Sequence, residues 1–99
     1  MPSWTFITNH GAVLATIARD QAVTARAVAI RLGITEGSVR RIIGDLELGG
    51  YLTRKRNGRN NEYDLNHDLP MRGPEDRVVA VGELLRVLNG SGEEEKPID

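Results

Sequence analysis

The tripeptide Gly33-Ile34-Thr35 separates two stretches of helical hydrophobic spacing by only three residues. Gly33 can adopt the positive φ that ends a helix, and Thr35 can cap the helix that follows. The first helix is predicted at 25–32, after the capping residue Thr24, and the second at 36–49. The apolar stripe of the second helix consists of Val39, Ile42, Ile43 and Leu46. Two helices joined by so short a turn predict a helix-turn-helix unit.

A hairpin is predicted directly after this unit. Residues 51–56 and 62–65 favour strands, and Asn57-Gly58 is a strong signal for a two-residue turn whose positions need positive φ. Another helix is predicted at 9–19, a short extended piece at 21–23, a linker at 70–74 and a last helix at 75–88. The order predicts a mainly helical α+β fold, a winged helix-turn-helix with a three-helix core, a wing and a C-terminal helix. We call the hairpin the wing.

The length and composition predict one domain in a reducing compartment. Ninety-nine residues fit a single domain, expected at 1–89, and residues 90–99 have the charged, aperiodic composition of a disordered acidic tail. The chain has no cysteine, and its apolar stretches are far shorter than the roughly 20 residues that span a bilayer. The first ten residues show no signal-peptide pattern. We therefore expect a cytoplasmic protein without a membrane partner.

Charge is distributed unevenly along the chain, although the net charge is only −1. Residues 21–59 carry eight basic and three acidic side chains, a net charge of +5, whereas residues 60–99 carry four basic and ten acidic ones, a net charge of −6. A basic centre indicates a nucleic-acid partner more specifically than the sum of all charges does.

The basic residues fall on two elements that a winged helix presents to DNA. With Val39, Ile43 and Leu46 directed into the core, the first two turns of the second helix expose small and basic residues that can enter a major groove. Arg41 can bind a guanine edge or a phosphate, Arg40 suits a phosphate, and capped helix starts can meet phosphate oxygens. Glu36 can either pair with Arg40, four residues on, or accept a hydrogen bond from a cytosine amine. The wing tip suits a minor groove or its flanking phosphates. The candidate DNA-binding residues are Thr24, Thr35, Gly37, Ser38, Arg40, Arg41, Arg54, Arg56, Asn57, Gly58, Arg59 and Asn60.

From Thr24 to Leu65 the chain resembles the winged helix-turn-helix of regulators such as the MarR and ArsR families. The resemblance rests on the segments 29–34 and 38–41, on Leu46-Glu47 followed by Gly50-Tyr51-Leu52, and on the basic, glycine-containing wing. It implies major-groove contacts by Ser38, Arg40 and Arg41 and wing contacts by residues 56–60. The chain lacks the long flanking helices of full-length MarR proteins and the Cys and His sensor sites of metal-sensing ArsR members, and no effector is indicated.

The last helix has two possible uses. Its apolar stripe can complete the core against the first helix, with Trp4 and Phe6 beside it, or it can meet a second copy of the chain. A homodimer is favoured because a small core gains from it and because paired half-sites multiply affinity. The residues expected at that interface are Val78, Val81, Leu84, Leu85 and Leu88.

The sequence therefore predicts a regulator that binds double-stranded DNA. We see no nucleophile–base pair, phosphate-cradling loop or carboxylate pair typical of an enzyme. His10 and His67 are far apart in sequence, so neither a metal nor a cofactor is expected. The alternative is a winged helix that binds another protein through its acidic tail or last helix and does not bind DNA.

Overall fold

The computed structural model describes residues 4–71 and 79–90. Within these ranges the chain forms four helices and one two-stranded antiparallel hairpin, the predicted α+β winged helix-turn-helix. The elements are α1 (Asn9–Arg19), α2 (Ala25–Leu32), α3 (Glu36–Leu48), β1 (Leu52–Asn57), β2 (Asn60–Leu65) and α4 (Val81–Leu88).

Threonine side chains cap the first three helices. Thr8 Oγ1 accepts a hydrogen bond from Gly11 N at 3.2 Å, Thr24 Oγ1 from Ala27 N at 3.1 Å, and Thr35 Oγ1 from Ser38 N at 3.0 Å. Each bond satisfies an amide that has no partner within its own helix. Gly33 ends α2 with φ of 69°, as predicted, and this left-handed residue turns the chain from α2 into α3.

The core lies where α1, α2, α3, the base of the wing and α4 meet. Val13, Ile17, Val28 and Val39 are completely buried, and five consecutive residues of α1, 13–17, are buried. Leu52 and Tyr63 bring the wing into the same cluster. The helices are short, so their stability depends on burying these apolar faces together.

The turn of the wing lies one residue later than predicted. β1 pairs with β2 from Leu52↔Leu65 to Asn57↔Asn60, so the connecting residues are Gly58 and Arg59 rather than Asn57-Gly58. Gly58 has φ of 66°, which supplies the positive φ that the turn requires. This register places Leu52, Leu65 and Tyr63 on one face of the hairpin, where they contact the core, and that burial selects it.

The piece at 21–23 is not a third strand. Gln21 and Ala22 form a turn, and the segment meets the wing through one backbone hydrogen bond, from Tyr63 N to Gln21 O at 3.0 Å. Val23 is nevertheless buried and anchors this segment in the core.

The last helix begins later than residue 75. Val79 and Ala80 are not helical, because the segments around Pro70 and Ala80 pair as an antiparallel bridge. Met71 N donates to Val79 O at 2.7 Å, and Val81 N donates to Leu69 O at 2.8 Å. The start predicted for this helix, part of the linker at 70–74 and the tail from residue 91 onward lie outside the described residues.

Candidate nucleic-acid interface

The first two turns of α3 expose the face that the sequence predicts. Val39, Ile43 and Leu46 are buried, whereas Arg40 and Arg41 are exposed. No atom outside the helix lies within 4 Å of the position that a Cβ on Gly37 would occupy. The start of α3 is therefore a narrow, open and basic surface.

The two arginines of this surface differ in what they contact. Arg40 Nη2 donates a hydrogen bond to Glu36 Oε2, the pairing expected from their spacing of four residues. Arg41 forms no ion pair with any of the residues 4–71 and 79–90. Within those ranges no carboxylate holds its guanidinium, whose donors suit a base edge or a phosphate.

The tip of the wing is exposed and basic. Arg56, Gly58, Arg59 and Asn60 all lie on the surface, and Asn57 is the last residue of β1. Arg56 Nε donates a long hydrogen bond of 3.4 Å to Gly58 O, which directs this side chain along the turn. These residues form a charged edge around a tight turn.

Arg54 makes a contact with α3 that we did not predict from the sequence. Its Nε and Nη2 donate to the two carboxylate oxygens of Glu47 on α3, at 3.0 and 2.9 Å. The hydrogen bonds that Arg54 donates to this carboxylate raise the pKa of Arg54 above its ordinary value. The alternation of side chains along β1 could have predicted this contact. Arg54 lies two residues after the buried Leu52 and so on the same face of the strand.

A polar cleft joins α2, α3 and the wing. It has a volume of about 360 Å³, and Thr24, Arg40, Arg54, Arg59 and Asn60 are among the residues that line it. Five of the residues predicted to bind DNA thus surround one concave surface. Thr35, Gly37, Ser38 and Arg41 lie on the adjoining start of α3, outside the lining of the cleft.

Comparison with known families supports this geometry. The family model for the MarR family matches residues 6–60, more than half of the chain. This chain belongs to the MarR family. No curated protein and no solved structure matches it significantly. MarR proteins are DNA-binding transcription regulators, which agrees with the position of the basic cleft.

The MarR-family match covers α1, α2, α3 and β1 and ends at the tip of the wing. Most of β2 and all of α4 follow it. In this MarR-family chain α4 packs on α1, and Asn89 Nδ2 donates to Ala15 O at 3.2 Å. Val81 and Leu85 are buried within the chain's own core, and Leu84 and Leu88 are partly buried. Val78 lies outside the described residues, and the dimer interface stays a prediction.

An apolar cavity of about 760 Å³ lies between α1, α3 and α4 of this MarR-family domain. Leu14, Leu46, Tyr51 and Leu84 are among its lining residues. Trp4 and Phe6, which we expected to pack beside α4, are both largely exposed. Their rings contact each other edge to face at 5.1 Å between centroids, and Phe6, which borders the cavity, is 90% exposed.

The histidines of the MarR-family chain have structural neighbours. His10 Nε2 lies 2.8 Å from Asp45 Oδ2 and so links α1 to α3. His67 contacts the start of α4, where its backbone oxygen accepts from Gly82 N at 2.9 Å. Among the described residues, no group of three or more potential ligands is placed to hold a metal ion. Within the same ranges, none of the helices has the length and apolar character needed to cross a membrane.

Proposed function

We propose that this MarR-family protein is a cytoplasmic, sequence-specific regulator of transcription that binds double-stranded DNA as a homodimer. The start of α3 enters the major groove, and the wing contacts the minor groove or the flanking phosphates. The observation that carries the proposal is the cleft in which Thr24 of the α2 cap, Arg40 of α3 and Arg59 of the wing meet.

The chemistry of this cleft suits a polyanion. Arginine side chains bind phosphate oxygens with charge-assisted hydrogen bonds, and the amides at the start of α2 add partial positive charge. Arg59 forms no ion pair within the described part of the chain, so its charge is available to a phosphate. Contacts to phosphates fix the register of the protein on the duplex, and Ser38 and Arg41 then read base edges.

Support for a homodimer comes from α4. Val87 is 73% exposed beside the partly buried Leu84 and Leu88, so apolar surface remains after Val81 and Leu85 have joined the core. A second copy would cover that surface. It would also place a second α3 about one helical turn of DNA away, which predicts a pseudo-palindromic site.

The test begins with selection from a randomised duplex library, because the target sequence is not known. The selected duplex and a scrambled duplex are then titrated by fluorescence anisotropy from about 50 to about 200 mM salt. We compare wild type with Arg41→Ala/Arg59→Ala and with Arg19→Glu. Both variants lower the net charge by two, but the exposed Arg19 lies at the end of α1, outside both α4 and the lining of the cleft.

The proposal expects preference for the selected duplex, a steep decrease of affinity with salt, and a shallower salt slope in Arg41→Ala/Arg59→Ala only. Equal losses in both variants would indicate an effect of net charge without a defined interface. A folded protein that enriches no sequence and binds no duplex at low salt contradicts the proposal. Size-exclusion chromatography that then recovers a stoichiometric complex with another protein would support an interaction module instead.

A further inference from the structure

The Glu47–Arg54 pair joins the two elements that the proposed function brings to DNA. Both nitrogens of one edge of the guanidinium reach the carboxylate, at 3.0 and 2.9 Å, in a bidentate arrangement. The Glu47 side chain is 26% exposed and the Arg54 side chain 46% exposed. Bidentate pairs of this kind restrict orientation as well as distance.

The local backbone explains why these two side chains meet. Glu47 is the second-last residue of α3, and Arg54 is the third residue of β1. Between them, Gly50 has φ of 88°, and Tyr51 N donates to Leu46 O at 2.9 Å, which closes a tight helix-to-strand turn. Arg54 lies on the strand face that carries Leu52, and that face is directed at the core and α3.

The cleft gives the pair a functional context. Ile43 of α3, four residues before Glu47, lines the cleft together with Arg54 and Arg59. On a helix, residues four apart share a face. Glu47 is therefore a carboxylate on the side of α3 that faces the wing, beside the surface that meets DNA. By charge alone, a carboxylate in this position disfavours binding of a polyanion.

We propose that Glu47 is a positioning residue for DNA binding, which holds the wing at a fixed angle to α3 by its bidentate pair with Arg54. This inference rests on the proposed function. With the angle fixed, Arg41 on α3 and Arg59 on the wing reach one duplex at the same time. Arg54 acts through the wing in this arrangement and is not itself a phosphate ligand, which differs from its predicted role.

The two roles for Arg54 predict opposite changes in DNA affinity for the substitution Glu47→Gln. Glu47→Gln removes a negative charge beside the cleft and frees Arg54. If Arg54 binds phosphate, or if charge alone matters, the variant binds every duplex more tightly. If Glu47 positions the wing, the variant binds the selected duplex about 3- to 10-fold more weakly, because free wing motion must be lost on binding.

A matched control and a rescue complete the design. Glu62→Gln removes the same charge from the wing, at a residue that opposes Lys55 across the strands and forms no ion pair with any described residue. We expect its affinity to equal or exceed that of wild type. The exchanged double variant Glu47→Arg/Arg54→Glu restores an ion pair between α3 and β1, and it should recover most of the affinity that Glu47→Gln loses.

Anisotropy on the selected duplex and urea unfolding are measured for all four proteins. An exposed ion pair contributes little to stability, so a decrease in affinity with nearly unchanged unfolding separates positioning from a damaged fold. Tighter binding by Glu47→Gln, or an exchanged variant that is folded and stays weak, overturns the inference while the proposed function stands. Absence of binding by wild type contradicts the proposed function itself, and the inference with it.

Discussion

The backbone N–H of Tyr63 on β2 donates a hydrogen bond of 3.0 Å to the carbonyl oxygen of Gln21, in the segment that leads into α2. With the burial of the Tyr63 side chain, this bond fixes the base of the wing to the helical core. The base of the wing is therefore fixed to the core, whereas its tip is exposed. The core thereby sets the direction of the tip, which the proposed function brings to DNA.

Arg41→Ala should weaken binding to the selected duplex by about 1–3 kcal/mol and relax preference at one base pair, because a bidentate contact to a base edge is lost. Anisotropy on the selected duplex and on its single-base variants measures both effects. Arg19→Ala at the end of α1 is the control and should bind like wild type. Unchanged affinity of the Arg41→Ala protein would remove this residue from the interface.

Arg56→Ala/Arg59→Ala should flatten the salt dependence and lower affinity for all duplexes alike. Each lost phosphate contact reduces the slope of log K against log salt by about 0.9. Titrations of selected and scrambled duplexes over the same salt range measure this slope. A slope equal to that of wild type would show that the wing tip does not contact phosphates.

Gly37→Ala should stabilise the free protein and impair DNA binding. The helix has open space at this position, and glycine within a helix costs about 0.5–1 kcal/mol relative to alanine. The added methyl group projects from the start of α3, where close approach to a duplex is proposed. Urea unfolding and anisotropy on the same samples give both quantities. A more stable protein with full DNA affinity would contradict close approach at Gly37.

Thr35→Ala should lower the free energy of unfolding by about 1 kcal/mol, because the Ser38 amide loses its cap. Thr35→Ser keeps an acceptor at this position and should preserve most of the stability. Urea unfolding of the three proteins measures the difference. Equal losses in both variants would show that the methyl group of Thr35, not its hydroxyl, matters at the start of α3.

Leu85→Ala should lower the free energy of unfolding by about 2–5 kcal/mol, because Leu85 is 3% exposed and packs in the core. Val87→Ala, on the exposed side of the same helix, should change stability little. Unfolding at two protein concentrations adds a check. If the loss in Leu85→Ala disappears on dilution while wild type becomes less stable, Leu85 acts between copies and not within the core.

Much of the fold follows from local chemistry that can be read in the sequence. The bounds of α1 and α2 agree with prediction, and α3 ends one residue earlier than expected. These helices were predictable because threonine caps, a left-handed Gly33 and an apolar stripe act within a few residues. The Glu36–Arg40 pair was predictable for the same reason, since its spacing of four residues brings the side chains together.

Three features could not be predicted from local sequence because they depend on contacts between different elements of the fold. The register of the wing follows from burial of Leu52 and Tyr63 in a core that other elements build. The start of α4 depends on the bridge between Pro70 and Ala80, which competes with helix formation. The role of Arg54 depends on Glu47, seven residues away across a tight turn.

By itself, the sequence determined the helix-turn-helix unit, its caps and the concentration of positive charge in the centre of the chain, because capping, hydrophobic periodicity and composition are local properties. Tertiary structure alone decided which of those charges stay available to DNA. A guanidinium is available only where folding brings no carboxylate to it, and so Arg54 pairs with Glu47, whereas Arg41 meets no carboxylate among the residues that the structure describes.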